Sequence, residues 1–271
     1  LNFKLFIYNF CVRDVKNLYV LQAENVTKVY GGRLEVNSNN ALNGISLNIE
    51  DGEFTAIMGP SGSGKTTLLN ILSGIDEATR GKIKIMGKDI TKFTRDEMAI
   101  FRRENLGIIS QDFNLLDDLT LEENAVLPLF IKDDSSENVK DRVEELFKFF
   151  NIWEQRNKYP HNVSGGQQQR AAACRALITN PKIVMADEPT GNLDSKASTK
   201  FMKYMQMINE NRNSTIIMVT HDSYAASFCK RVLFIKDGKM YTEIRKKEGK
   251  EDFFNRILDC LAIIGGEVDE V

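Results

Sequence analysis

The stretch Gly59-Pro60-Ser61-Gly62-Ser63-Gly64-Lys65-Thr66 decides how this chain is read. It matches the spacing G-x-x-x-x-G-K-[ST]. It also stands where that pattern holds phosphate, between an apolar strand, Phe54 to Met58, and a helical pattern from Lys65 to about Ser73. The glycines let the backbone curl until several N–H groups and the positive end of the helix face one point, which suits phosphate oxygens. Lys65 then reaches the β- and γ-phosphates, and Thr66 is a candidate Mg²⁺ ligand. Gly59 to Thr67, with Pro60, Ser61, Gly62, Ser63 and Gly64 between, form the candidate nucleotide cradle. A glycine turn without a ligand needs neither the lysine nor the hydroxyl at that offset.

Upstream of this loop the pattern is β-rich from Gln22, with Val26 and Val29 near Tyr30, a polar loop from Gly31 to Asn40, and alternating Ile45, Leu47 and Ile49. Residues 1–21 carry no turn or capping logic and are expected to form an N-terminal extension. Downstream, alternation resumes at Ile83 and Ile85 before a turn at Gly87. The region from about Thr94 to Leu177 reads as mainly helical, interrupted by the apolar run Leu106 to Ser110 and the polar break Asp133 to Ser136. Thr120 and Glu123 give a capping box, and Val143, Leu146, Phe147 and Phe150 recur at helical spacing, so a helical subdomain is expected. Beyond it come strand Ile183–Ala186, helix Ser195–Asn209, strand Thr215–Val219, helix Tyr224–Lys230 and strand Val232–Ile235. This alternation predicts an α/β fold with a mostly parallel sheet.

Composition narrows the class without naming a partner. The 271 residues suffice for one large domain, and 42% apolar with 27% charged residues is ordinary for a globular protein. A formal net charge of -2 gives no field that draws the whole chain onto nucleic acid or an anionic bilayer. Cys11, Cys174, Cys229 and Cys260 are scattered and read as reduced structural thiols. No apolar run reaches the ~18 residues needed to cross a bilayer.

Ile183-Val184-Met185-Ala186 ends in Asp187-Glu188, which delivers two carboxylates to the carboxyl edge of the sheet. Asp187 is the candidate Mg²⁺-holding carboxylate, and Glu188 the candidate base that orients the attacking water. Alone, a strand followed by two acids says little; with the phosphate loop it points to an NTPase.

Val163-Ser164-Gly165-Gly166-Gln167, followed by an Ala-rich helix, narrows this further: the chain resembles the ABC ATPases. That resemblance implies a P-loop fold with an antiparallel β subdomain and a helical subdomain, spanning residues 22–245. It implies ATP and Mg²⁺, and a second copy of the chain whose Ser164, Gly165, Gly166 and Gln167 meet the γ-phosphate held opposite. Val163 replaces the family's usual leucine at a packing position. By the same resemblance Tyr30 stacks on adenine, Gln111 senses Mg²⁺ and the attacking water, Gly191 to Asp194 line the dimer contact, and His221 touches the γ-phosphate. Base stacking on an aromatic ring is worth roughly 1–3 kcal/mol.

Ala186 to Asp194 is similar to the short exporter ATPases of the macrolide-export and lipoprotein-release group. Gln111 to Leu116 and Val219 to Ser227 resemble the bacitracin-resistance ATPases, as does a tail, residues 246–271, whose Phe253, Phe254, Ile257, Leu258 and Leu261 share a helical face. A helix packed on its own domain is expected there, since Asp252 and Asp259 flank it without a basic face. The resemblance implies an integral-membrane permease partner, a peripheral location on the cytoplasmic face of the cell membrane, and resistance to bacitracin-like peptides. A lipoprotein or macrolide exporter, or a non-transport regulator of a membrane protein, would carry the same ATPase residues. An ABC ATPase acting on DNA or ribosomes would need a long coiled-coil insertion or two ATPase domains, and the sequence has neither.

Overall fold

The computed structural model describes residues 19–31, 39–132, 139–247 and 249–265. The expected N-terminal extension up to residue 18, most of the 31–40 loop, the 133–136 break and the tail end at Gly266 lie outside the described residues.

In chain order, a long hairpin, β1 (Tyr19–Tyr30) and β2 (Asn39–Glu50), leads into β3 (Phe54–Met58) and then α1 (Lys65–Leu72). Next come β4 (Arg80–Ile85), β5 (Lys88–Asp89), α2 (Arg95–Asn105) and β6 (Leu106–Ile109). Three helices follow: α3 (Leu121–Lys132), α4 (Val139–Phe149) and α5 (Gly165–Leu177). The remainder alternates through β7 (Ile183–Asp187), α6 (Ser195–Arg212), β8 (Thr215–Val219) and α7 (Ser223–Ala226). It closes with β9 (Arg231–Lys236), β10 (Lys239–Arg245) and α8 (Lys250–Gly265).

These strands make two sheets, an antiparallel one ordered β2-β1-β4-β5 and a six-stranded one ordered β10-β9-β3-β8-β7-β6. Within the larger sheet β9, β3, β8, β7 and β6 run parallel, and only β10 returns antiparallel against β9. β3 is buried on both faces, as a central parallel strand must be. Its Phe54, Ala56 and Met58 join one apolar cluster with α5 and α6, while Ile57 joins a second. The second cluster takes Leu68, Leu69, Ile71 and Leu72 of α1 together with β1 and β2, so the phosphate-loop helix is packed between the sheets. Order β3-β8-β7 brings three parallel carboxyl ends side by side, and each carries a candidate site residue just beyond it.

Several local expectations change. The first strand begins at Tyr19, three residues before Gln22. β6 pairs in parallel with β7 from Leu106 to Ile109, so this segment belongs to the core sheet although helices flank it in sequence. The expected helix Tyr224–Lys230 is only the four-residue α7. The chain leaves it because Phe228 and Cys229 turn into the core and the Lys230 amide donates to the Phe54 carbonyl (2.7 Å), which starts β9 alongside β3. In α8, Phe253, Ile257 and Ile264 are buried in the cluster shared with β3, and Leu261 packs against it. Leu258 faces outward instead, 42% exposed. Among the described residues, no helix is long and apolar enough to cross a membrane.

Candidate active site

The phosphate loop adopts a conformation that only glycine takes easily. Gly59 has φ +155°, and a Cβ there would sit 2.0 Å from the Ile235 carbonyl oxygen. Gly64, in the left-handed region at φ +95°, is the N-cap of α1, and a Cβ would meet the Ala41 carbonyl oxygen at 2.4 Å. The first turn of α1 has no side-chain cap, so its N–H groups remain directed into the loop. Lys65 is buried and donates to the carbonyls of Gly59 (3.0 Å) and Pro60 (2.8 Å). Burial lowers its pKa, and the carboxylates of Glu188 and Asp187 pull in the opposite direction. Ser63 Oγ is buried inside the loop with no hydrogen-bond partner among the described residues.

Thr66 Oγ1 donates to Asp187 Oδ1 at 3.2 Å, joining the start of α1 to the end of β7. Burial raises the Asp187 pKa; the Thr66 hydrogen bond lowers it, Glu188 raises it and Lys65 lowers it, with a net upward shift. A hydroxyl and a carboxylate supply oxygen donors of the kind Mg²⁺ takes, and no group of three or more His, Cys, Asp or Glu side chains placed to hold a metal occurs among the described residues. The pair therefore suits a cation that arrives with phosphate oxygens completing its shell. Thr66 and Asp187 would hold Mg²⁺, which would supply positive charge against phosphate oxygens.

Next along the sheet, the Glu188 carboxylate lies 2.8 Å from His221 Nδ1. Glu188 holds a left-handed backbone, φ 43°, while its amide donates to the Val219 carbonyl at 2.9 Å. A non-glycine residue at that φ stores strain of order 1–3 kcal/mol. Glu188, His221, Lys65, Thr66, Thr67, Ser61, Gly62, Gly64 and Tyr30 line one cavity of about 520 Å³, with Asn39 and Ala41. A larger cavity of about 800 Å³, walled by Lys28, Asp76, Arg95 and Arg102, contains no phosphate-loop residue.

Other sequence candidates stand apart from this cavity. Gln111 Nε2 donates to Asn192 Oδ1 at 3.4 Å and lies so close to Gly191 that a Cβ there would be 3.0 Å from it. Asn192 returns bonds to the Gln111 carbonyl and Asp112 Oδ1, both at 3.1 Å. Ser164 caps α5 by accepting from the Gln167 amide, in a capping box with the Gln167 side chain. Gly165 and Gly166 follow in the first turn, and a Cβ on Gly166 would meet the Ala197 Cβ at 3.1 Å. Asp194 caps α6 by accepting from the Ala197 amide at 2.8 Å. The Ser164 helix start and the Gly191–Asp194 loop thus form one surface, away from the cavity of their own chain.

Three residues with a part in this arrangement went unnoticed in the sequence. Gln169, fully buried in α5, donates to the Pro189 carbonyl at 2.6 Å, beside Glu188. Lys28 and Asp76 both contact Tyr30. Lys28 had a readable signal, since it sits two residues before Tyr30 on the same face of β1; Asp76 had none.

A family model described as ABC transporter matches residues 42–191. The bacitracin export ATP-binding protein BceA of Halalkalibacterium halodurans is 47% identical over 248 residues, covering 91% of this chain and 97% of that protein. The ABC transporter ATP-binding protein YxdL of Bacillus subtilis is 46% identical over 252 residues, covering 93% and 97%. Among solved structures, the dimeric post-hydrolysis state of the Methanocaldococcus jannaschii ATP-binding cassette MJ0796, bound to ADP and Pi, matches with TM-score 0.77 and 39% identity. That match covers 84% of this chain and 100% of the other. On these matches the chain belongs to the ABC transporter family, as an ATP-binding subunit with Mg²⁺-supported ATPase activity.

Proposed function

We propose that this chain powers a separate integral-membrane permease that confers resistance to bacitracin-like antimicrobial peptides. The observation that carries the reading is 47% identity with a bacitracin export ATPase along 97% of that protein's length. Macrolide-export and lipoprotein-release relatives match less closely, at 40% identity. The chain works as a pair on the cytoplasmic face of the membrane, bound to its permease. The related cassette is dimeric in its post-hydrolysis state, and the same arrangement here would bring the exposed Ser164 helix start to the open cavity of the other copy.

In that sandwich Lys65 and the phosphate-loop amides hold the β- and γ-phosphates, while Thr66 and Asp187 hold Mg²⁺. Glu188 accepts a hydrogen bond from the attacking water and takes its proton as the water oxygen bonds to the γ-phosphorus. The bond from that phosphorus to the bridging oxygen breaks, and ADP leaves. His221, whose Nδ1 lies 2.8 Å from the Glu188 carboxylate, fixes that carboxylate and faces the γ-phosphate. Ser164, Gly165, Gly166 and Gln167 of the second copy complete the cage, with Asp194 in the loop beside them. Gln111, between the core sheet and the helical region, shifts between Asn192 and the Mg²⁺ site as the permease moves.

The test is ATPase turnover of the chain co-expressed with its permease, in lipid, with and without bacitracin and against Glu188→Gln. A peptide-dependent change in turnover, absent from the variant, is expected. Robust turnover indifferent to bacitracin would leave the ATPase and remove the substrate.

A further inference from the structure

Tyr30 is 42% exposed on the cavity wall, yet its ring is held on one side and at its tip. Lys28 Nζ sits 4.8 Å from the ring centroid. The Tyr30 hydroxyl donates to Asp76 Oδ2 at 2.7 Å, and Lys28 Nζ donates to Asp76 Oδ1, also at 2.7 Å. Lys28 is anchored a second time on the Glu77 carbonyl at 2.8 Å. The three side chains form a closed triangle in which no member turns without breaking a contact with the others.

The triangle is tied to the phosphate-binding helix. The amides of Ile75 and Asp76 both donate to the Asn70 carbonyl in α1, at 2.8 and 3.1 Å. On the other side, the Thr79 amide donates to the Thr27 carbonyl at 2.8 Å, and Thr79 Oγ1 accepts from the Val29 amide at 3.0 Å. The N-terminus of α1 presents Lys65 and Thr66, and its C-terminal end places Asp76. The distance between the phosphate end of the cavity and the Tyr30 ring is therefore set by one rigid helix and the loop that follows it.

We propose that Lys28 and Asp76 are positioning residues of a nucleobase platform: Asp76 fixes the Tyr30 hydroxyl, and Lys28 occupies one ring face so that the other receives the adenine. This rests on the reading of Tyr30 as the stacking residue. A cation on one face draws ring electron density toward itself and reduces the repulsion between the opposite face and an incoming π-system. It also excludes the alternative orientation in which the base approaches from the Lys28 side. Stacking of this kind favours bases over bare phosphate and discriminates weakly among them.

The experiment is titration calorimetry of the full chain with Mg²⁺–ADP, and separately with Mg²⁺–pyrophosphate, which carries no base. Tyr30→Ala is expected to weaken ADP about tenfold or more. Lys28→Met, Asp76→Asn and the milder Tyr30→Phe should each weaken it about three- to tenfold, with pyrophosphate affinity unchanged in all four. Lys28→Arg should restore most of the loss, and Lys28→Met added to Tyr30→Ala should cost nothing further. If Tyr30→Ala weakens ADP while the Lys28 and Asp76 variants bind it as the native chain does, the inference is overturned and Tyr30 stands alone. Equal losses for ADP and pyrophosphate would make the triangle a structural brace and overturn it too. An unaffected Tyr30→Ala would overturn the stacking reading itself, and the inference with it.

Discussion

Glu188 presents its carboxylate to His221 Nδ1 at 2.8 Å from a backbone in the left-handed region, at φ 43°. Strain of this kind persists when the surroundings over-determine it, and here the Glu188 amide is held by the Val219 carbonyl while the Gly191 amide donates back to the Glu188 carbonyl, both at 2.9 Å. The bend lets adjacent residues diverge: Asp187 stays in strand register beside Thr66, and Glu188 turns to the histidine at the end of the next strand.

His221→Ala tests that pairing. The His221 side chain is 68% exposed, so melting temperature should hold within about 1–2 °C. Turnover of the co-expressed complex should fall about a hundredfold or more, with ADP affinity within about twofold of native. A variant that hydrolyses at the native rate would remove His221 from the reaction.

Gly64→Ala places a Cβ against the Ala41 carbonyl oxygen at a φ of +95°. The strain of roughly 1–3 kcal/mol should lower the melting temperature by about 3–9 °C and displace the α1 N-terminus. Pyrophosphate binding, measured by calorimetry, should be lost together with ADP binding.

Gln169→Leu separates stability from function. The native Gln169 Oε1 is itself buried without a partner among the described residues, so the substitution removes one unpaired acceptor while leaving another, the Pro189 carbonyl. The two changes are of similar size, so thermal unfolding should shift by no more than about 3 °C. The loop carrying Glu188 loses its tie to α5, and turnover should fall about tenfold.

Burial raises the Asp76 pKa, but hydrogen bonds from Lys28, Tyr30 and the Glu77 amide outweigh it and hold the carboxyl below the usual aspartate range. A carboxylate with a depressed folded-state pKa contributes stability that is present above the unfolded pKa and lost as pH falls through the folded one. Asp76→Asn should therefore melt about 2–4 °C lower than the native chain at pH 7, and the gap should close below about pH 4. A constant gap from pH 7 to pH 3 would contradict the ionic part of this contact.

The mostly parallel sheet and the phosphate loop were legible because each follows from local chemistry. Phe54 to Met58 is apolar throughout, as a strand buried on both faces requires, and the glycines and Lys65 follow it directly. Thr120 with Glu123 announced a helix start by a capping box whose two partners stand three positions apart. What stayed hidden depends on contacts distant in sequence. Asp76 meets Tyr30 across 46 positions, and Lys230 ends α7 early by pairing with Phe54. The left-handed backbone at Glu188 has no sequence signal either, since glutamate is not a residue that marks positive φ.

In the proposed reaction Glu188 is the base of a two-chain ATP site. The most direct test of that role is Glu188→Gln with saturating Mg²⁺–ATP, following phosphate release and molecular mass together. Loss of turnover by at least about a hundredfold, with ATP retained and the chain at twice its monomer mass, is the expected result. Native turnover in this variant would show that Glu188 is not the base.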